Sequence, residues 1–356
     1  MMEIDGSQKS GSGTIVRDAV PFSILLGKDL RITNIRAKRM KPGLRAQHLK
    51  ALEAATQLCR GQVTGAEIGS KEITVTPGDC IHGGTFRWDI GTAGSATMVA
   101  SCIMLLALYA DKPSVYKITG GLFQDFAPSV YHMQYVLLPL LKKMGAELAV
   151  RIIRPGYVPK GGGLIEVTGI PMMSALTPLA LLDRGTVKKV LGIALSSLLA
   201  ERKVSERMAS ACRETLRGKG YLPPIDILYD TKEKPIFDKA SAQPGASLAV
   251  WAETDTGCLL GSDMAGARGR PAEVIGTKVA KQLSEDLDTT ATVDRHLADQ
   301  LIPFAALADG WSTYVIPRMT EHIETRLWLA ETILGAQTTV THNVIKIKGI
   351  GYRRKQ

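Results

Sequence analysis

A histidine at the start of an amphipathic segment, arginines beside a Pro-Gly turn and a glycine-rich opening are the parts of this sequence suited to chemistry on phosphate. His322 stands in Met319-Thr320-Glu321-His322-Ile323-Glu324-Thr325. If Thr320 caps a helix there, the first turn carries the positive end of the helix dipole, which favours a neutral imidazole and a bound anion. A neutral imidazole nitrogen can attack phosphorus and form a phosphoramidate, a covalent intermediate. Residue type alone does not decide this, because a helical histidine is more often an ordinary surface residue.

Three further segments are candidates for binding anions. Arg36 and Arg39 lie in Ile35-Arg36-Ala37-Lys38-Arg39-Met40-Lys41-Pro42-Gly43-Leu44, followed by Gln47-His48-Leu49. If Arg31–Ile35 is a strand, both guanidiniums leave its end beside the turn and can converge on one phosphate, each donating paired hydrogen bonds. A solvated basic edge is the competing reading. Asp5-Gly6-Ser7, Gly11-Ser12-Gly13 and Arg17 form a glycine-rich lead into a helix, whose backbone N–H groups suit a phosphate. A flexible terminal stretch has the same composition. In His296-Leu297-Ala298-Asp299-Gln300, His296 and Gln300 are four apart and make a polar stripe, for a base edge, a phosphate or water.

Alternating strands and helices must position these residues. Arg31–Ile35, Glu72–Val75, Val115–Ile118, Leu148–Ile152 and Leu164–Val167 read as strands from their β-branched content. Leu49, Leu52, Ala55 and Leu58 mark one helix face, and a long helix is expected over Ser129–Met144, ended by Gly145. Ile275, Val279, Leu283 and Leu287 mark another face, and Leu297, Leu301 and Ala305 a third, with Asp294 as its N-cap. Between Asp183 and Ile275 the texture changes. That stretch holds a basic helical segment (Lys188–Leu216), the Pro223-Pro224 break and the glycine-rich Gly257–Gly269. It reads as a smaller domain, residues 183–275, inserted into a larger one made of 1–182 and 276–356.

The 356 residues carry a net charge of +10, and Lys28–Lys50 holds eight Lys or Arg against one acid, Asp29. A polyanionic partner fits that distribution. The five cysteines are widely spaced without a CxxC pair, which argues against a disulfide framework or a zinc site. The nearly apolar run Met98–Ala110 is too short to span a bilayer, so a soluble, cytoplasmic protein without a membrane partner is expected.

In their order and spacing these segments resemble the RNA 3'-terminal phosphate cyclase family. The resemblance is carried by "IRAKRMKPGLRAQHL" (Ile35–Leu49), "GAEIGSKEITVTPG" (Gly65–Gly78), "DIGTAGSA" (Asp89–Ala96), "PKGGG" (Pro159–Gly163), "VDRHLADQLIP" (Val293–Pro303) and "TEHIETRLWLAETILG" (Thr320–Gly335). The "HLADQ" form is nearer the archaeal branch. The resemblance implies an α/β (α+β) fold, with a large domain of repeated sheet-plus-two-helix units and a smaller α/β domain inserted. It implies an ATP-dependent ligase-class enzyme that adenylates itself on His322 and closes an RNA 3'-phosphate into a 2',3'-cyclic phosphate. By the same resemblance Asp299 orients His322, and Arg17, Arg36, Arg39 and Gln47 bind phosphate and RNA. Pro128, His296, Leu297, Ala298, Asp299 and Gln300 hold ATP. A divalent cation, Mg or Mn, is implied with it, but its ligands stay open, because Ser10 stands where the family has an acid. Ser101, Leu122 and Arg326 also replace a usual Gln, Thr and Asn. The expected partners are ATP and RNA ending in a 3'-phosphate; the oligomeric state is open. Two alternatives remain: a non-catalytic cyclase-like RNA-binding factor of ribosome assembly, and adenylation of 5'-phosphate ends.

Overall fold

Short β-branched runs separated by glycine-containing turns give the chain four small sheets in place of one large one. The computed structural model describes residues 1–354, and each of these sheets has four strands. In the first, Met2–Asp5 runs parallel to Leu30–Thr33, which pairs antiparallel with Ile73–Thr76, and that strand with Gln62–Thr64. The second sheet repeats this order with Thr85–Asp89, Ser114–Gly120, Gly163–Ile170 and Glu147–Arg154. The third repeats it again with Ala180–Leu181, Trp311–Val315, Val344–Lys348 and Gln337–Thr341.

A parallel pair needs a crossover, and a helix supplies it in each unit. These are Thr14–Leu26, Ala96–Ala107, and the two short helices Leu297–Gln300 and Ile302–Leu307. A second helical segment then leads to the return hairpin: Ala46–Cys59, the run from Val130 to Lys143, and Glu321–Leu329. The result is one αβ pattern built three times, a mixed fold of repeated sheet-plus-two-helix units. Its core is aliphatic. Ala51, Leu52, Ala55 and Leu58 form the buried stripe of the Ala46–Cys59 helix, as their spacing requires.

The fourth sheet interrupts the third unit between Ala180–Leu181 and Leu297. Ile225–Asp230 runs parallel to Val187–Ser197, which pairs with Gly245–Thr254, and that strand with Leu259–Ala265. The helices Val204–Arg217 and Ala272–Leu287 pack together on this sheet. They approach closely at Gly276, where a Cβ would lie 2.3 Å from the Met208 carbonyl oxygen. The helix Ala272–Leu287 thus packs with the fourth sheet, although most of it follows the expected end of the insertion at Ile275.

Three local differences from the expected elements have physical causes. Lys188–Leu216 is not one helix: Val187–Ser197 is a central strand, with Ile193, Ala194 and Leu195 buried in the sheet. Its lysines sit at the exposed end, so charge masked an apolar run that only a sheet interior satisfies. The helix expected over Ser129–Met144 widens to π geometry at Met133–Leu137, just before Pro139, which has no N–H for the Tyr135 carbonyl. The helix expected through Leu297, Leu301 and Ala305 breaks at Leu301, because Pro303 cannot donate to the Asp299 carbonyl. That carbonyl instead accepts from Arg326 Nη1 at 2.6 Å. Among the described residues no helix is long and apolar enough to cross a membrane.

Candidate active site

In a crossover unit, the chain leaves the carboxyl end of a strand and enters a helix at its N-terminus, so repeated units direct helix N-termini toward one side. Here the three units, together with Asp263, Met264, Arg270 and Gln282 of the fourth-sheet unit, line a cleft of about 710 Å³. All three units line it from the starts of their helices: Thr14 and Arg17, Gln47 and His48, Thr97 and Met98, Pro128 and Met133, His296 and Asp299, and His322 and Arg326. Unpaired N–H groups and aligned dipoles give the cleft a positive potential before any side chain is counted. Ser95, Ser129 and Thr320 cap three of these helices, accepting from Met98, His132 and Ile323 N–H groups.

His322 opens onto the cleft, yet protein surrounds enough of it that burial lowers its pKa below the ordinary histidine value. Asp299 opposes that shift, and Arg326, Arg17 and Arg39 add to it. The imidazole is therefore neutral at pH 7. Its Nδ1 lies 3.1 Å from Thr14 Oγ1, which also accepts from Arg17 Nη2 at 3.2 Å. Thr14 is buried and sits three residues before Arg17 on one helical turn. Asp299, expected to orient His322, makes no hydrogen bond to it among the described residues; Thr14 holds that ring nitrogen.

Behind His322 lies a buried charge network. Arg326, one turn further along the same helix, lies with Nε 2.9 Å from Asp18 Oδ2 and Nη1 3.5 Å from Asp299 Oδ2. Although burial works against it, those two carboxylates hold the guanidinium in its charged form. Burial lowers Arg17 to about 10, which still leaves a cation at neutral pH. Ser10 does not reach the cleft. Its Oγ accepts from Thr325 Oγ1 at 2.8 Å and lies 2.9 Å from Ser12 Oγ, so the glycine-rich loop is tied to the helix of His322.

Arg36 and Arg39 line the cleft, and Arg36 is fixed by its Nη1 donating to the Lys41 and Gly43 carbonyls at 2.6 and 2.7 Å. Gln47 bridges two units: its Oε1 accepts from Ser95 N–H at 2.8 Å. Beside it His48 accepts the Arg45 N–H on Nδ1 at 3.2 Å, and burial lowers its pKa to about 2, so it stays neutral. Opposite, Pro128, His296 and Gln300 line the wall. Leu297 and Ala298 do not; both are 0% exposed, and their side chains join the core. Asp294 sets this wall, accepting from His296 and Leu297 N–H groups at 2.8 Å while its other oxygen meets buried His132 Nε2 at 3.0 Å.

A resident divalent cation does not fit the residues present. Among the described residues no group of three His, Cys, Asp or Glu could hold one. The cleft carboxylates are already engaged: Asp125 with Arg270, Asp299 with Arg326, and Asp263 with the Ser129 N–H. Guanidiniums are the fixed positive charges of this site. Thr14, His48, Asp18 and the Asp125–Arg270 pair were not singled out from sequence. The i, i+3 spacing of Thr14 and Arg17 was the available signal for the first, whereas the ion pairs join residues too distant in the chain to suggest each other.

The comparisons with known proteins agree with this geometry. The family described as RNA 3'-terminal phosphate cyclase matches residues 8–340. The RNA 3'-terminal phosphate cyclase of Methanopyrus kandleri is 38% identical, over 94% of this chain and 93% of that protein. The one from Archaeoglobus fulgidus is 38% identical over 98% of this chain and 100% of its own, and the one from Pyrobaculum aerophilum 35% identical over 99% of each. Among solved structures, an EPSP synthase from Acinetobacter baumannii aligns with a TM-score of 0.25 at 14% identity, covering 96% of this chain and 64% of that one. A score that low assigns neither fold nor chemistry. A cleft of helix N-termini and arginines around His322, with sequence matches along nearly the whole chain, places this chain in the RNA 3'-terminal phosphate cyclase family of enzymes.

Proposed function

We propose that this chain converts RNA 3'-phosphates to 2',3'-cyclic phosphates through a histidine–AMP intermediate on His322. The observation that carries the reading is the His322–Thr14 contact in an arginine-lined cleft. With the Nδ1 proton donated to Thr14 Oγ1, the lone pair of Nε2 is free for phosphorus. Thr14 Oγ1 can accept from both His322 and Arg17, since a hydroxyl has two acceptor lone pairs.

His322 Nε2 attacks the α-phosphorus of ATP; the bond to the bridging oxygen breaks and pyrophosphate leaves with the electron pair. An oxygen of the RNA 3'-phosphate then attacks the same phosphorus, the N–P bond breaks, and AMP passes to the RNA end as a phosphoanhydride. The adjacent 2'-hydroxyl attacks the RNA phosphorus, loses its proton and displaces AMP, leaving the cyclic ester. Activation is needed because an unactivated phosphate oxygen leaves poorly, whereas AMP leaves well. The last step is intramolecular, so holding the ribose beside the activated phosphorus removes most of its entropic barrier. Arg17, Arg36 and Arg39 offset the charge that gathers on the phosphates. Pro128, His296 and Gln300 form the adenylate wall, with Asp299 as its charged edge. Any divalent cation in the reaction would arrive on the ATP phosphates, since among the described residues no group of three His, Cys, Asp or Glu could hold it.

The test is incubation with α-labelled ATP. The reading requires acid-labile, base-stable label on the wild-type protein and none on His322→Ala; equal labelling of both would refute it.

A further inference from the structure

A second cavity, of about 570 Å³, opens beside the active-site cleft, and Arg270 lines both. Its lining includes Arg202, Arg207, Arg268 and Arg270 and no Asp or Glu. Arg207 is paired with Glu273 and Arg270 with Asp125. Arg202 and Arg268 make no ion pair among the described residues, so both charges are available at the cavity. Val158 and Leu199 line the same cavity and give it an apolar surface on which a base can rest. The helix Ala272–Leu287 also begins here, with no side-chain cap on its first N–H groups.

The join between the two cavities is built. Arg270 donates to both oxygens of Asp125 at 2.7 Å and to the Ala265 carbonyl at 2.7 Å. The next residue, Phe126, is 93% exposed and lines the active-site cleft. A positive groove with an exposed aromatic at its mouth is the combination that single-stranded nucleic acid binds.

We propose that the RNA strand leading to the reacting 3' end leaves the active-site cleft past Phe126 and Arg270 and lies in this second cavity. Arg202 and Arg268 hold its phosphates there. The proposal rests on the cyclase reading, because it extends the path of that substrate. It makes the inserted fourth-sheet unit, which carries most of the cavity wall, the part of the protein that grips RNA upstream of its end.

The test compares wild type with the Arg202→Ala/Arg268→Ala variant on a dinucleotide and on a longer single-stranded RNA, both ending in 3'-phosphate. Affinity is read by fluorescence anisotropy across salt concentrations, and cyclisation and His322 labelling are measured beside it. The variant should bind the longer RNA about tenfold more weakly, with a salt slope lower by about 1.4, at roughly 0.7 for each single-strand phosphate that an arginine no longer neutralises. Labelling and cyclisation of the dinucleotide should not change. An unchanged slope and affinity for the longer RNA would overturn the path, and so would an equal loss on the dinucleotide, which does not reach the cavity. A wild-type protein that neither labels nor cyclises the dinucleotide removes the cyclase reading, and the path with it.

Discussion

Replacing Thr14 with valine keeps the branched shape of a buried side chain and exchanges its hydroxyl for a methyl group. Two hydrogen bonds go with that oxygen: the 3.1 Å bond to His322 Nδ1 and the 3.2 Å bond from Arg17 Nη2. A neutral hydrogen bond contributes about 0.5–1.5 kcal/mol and one from a charged donor about 1.5–3 kcal/mol. Only part of the second acts on the reacting histidine, so the barrier to adenylation should rise by about 1–3 kcal/mol. At about 1.4 kcal/mol per tenfold, that is roughly a 5- to 150-fold slower reaction. The assay is single-turnover labelling with saturating α-labelled ATP, so that binding and attack on phosphorus are read separately. Thr14→Ser, which keeps the hydroxyl, should recover most of the rate, a rescue that a purely structural role for Thr14 would not give. Wild-type labelling by Thr14→Val, or a serine variant as slow as the valine one, refutes the assignment of Thr14 as the group that directs Nε2 at phosphorus.

Three further outcomes follow from the same geometry. Because the pKa of His322 is lowered, the midpoint of the fall in labelling rate with falling pH should lie below about 6.5, the ordinary histidine value; a midpoint above it contradicts a histidine whose neutral form the cleft favours. Asp294→Ala leaves His132 buried without its carboxylate and should cost about 3–5 kcal/mol in urea unfolding. The sign for the wild-type pair is set by both partners. The Asp294 contribution is complete above its unfolded pKa near 4 and lost as pH falls through about 2. The His132 contribution is complete below about 6.5 and lost as pH rises through its raised value. Gly13→Ala puts a Cβ 2.0 Å from His48 Nε2. It should destabilise by about 1–3 kcal/mol and slow labelling, whereas a variant with unchanged melting temperature and labelling would show that the loop has room.

What was legible in the sequence is what local pattern encodes. Leu52, Ala55 and Leu58 give the buried stripe of the Ala46–Cys59 helix, and Thr320 caps the helix of His322 as its position requires. Gly145 ends its helical segment at a positive φ. The repeated sheet-plus-two-helix units were legible through the family resemblance and not through any repeat of residues, since one sheet order is built three times without a strong sequence repeat. Lys188 and Lys189 drew attention to charge, while the following apolar run settled the strand through partners about sixty residues further along. In the cleft, side chains named from motifs lie together, but the bonds that hold them are long-range. Thr14 meets His322, Arg326 meets Asp18, and Ser10 meets Thr325, each across about 300 residues of chain. Even within "HLADQ" the pattern hid a division, since Leu297 and Ala298 turn inward while His296, Asp299 and Gln300 face the cleft.

The most direct test of AMP transfer from His322 to the RNA end is a chase of the isolated adenylated protein. Wild-type protein is labelled with α-labelled ATP, freed of nucleotide and given RNA ending in 3'-phosphate, and the label and the RNA ends are followed together. Label should leave His322 as AMP, in step with the appearance of one 2',3'-cyclic end per AMP released. Label that stays on the protein, or moves only to RNA 5'-phosphate ends, would contradict it.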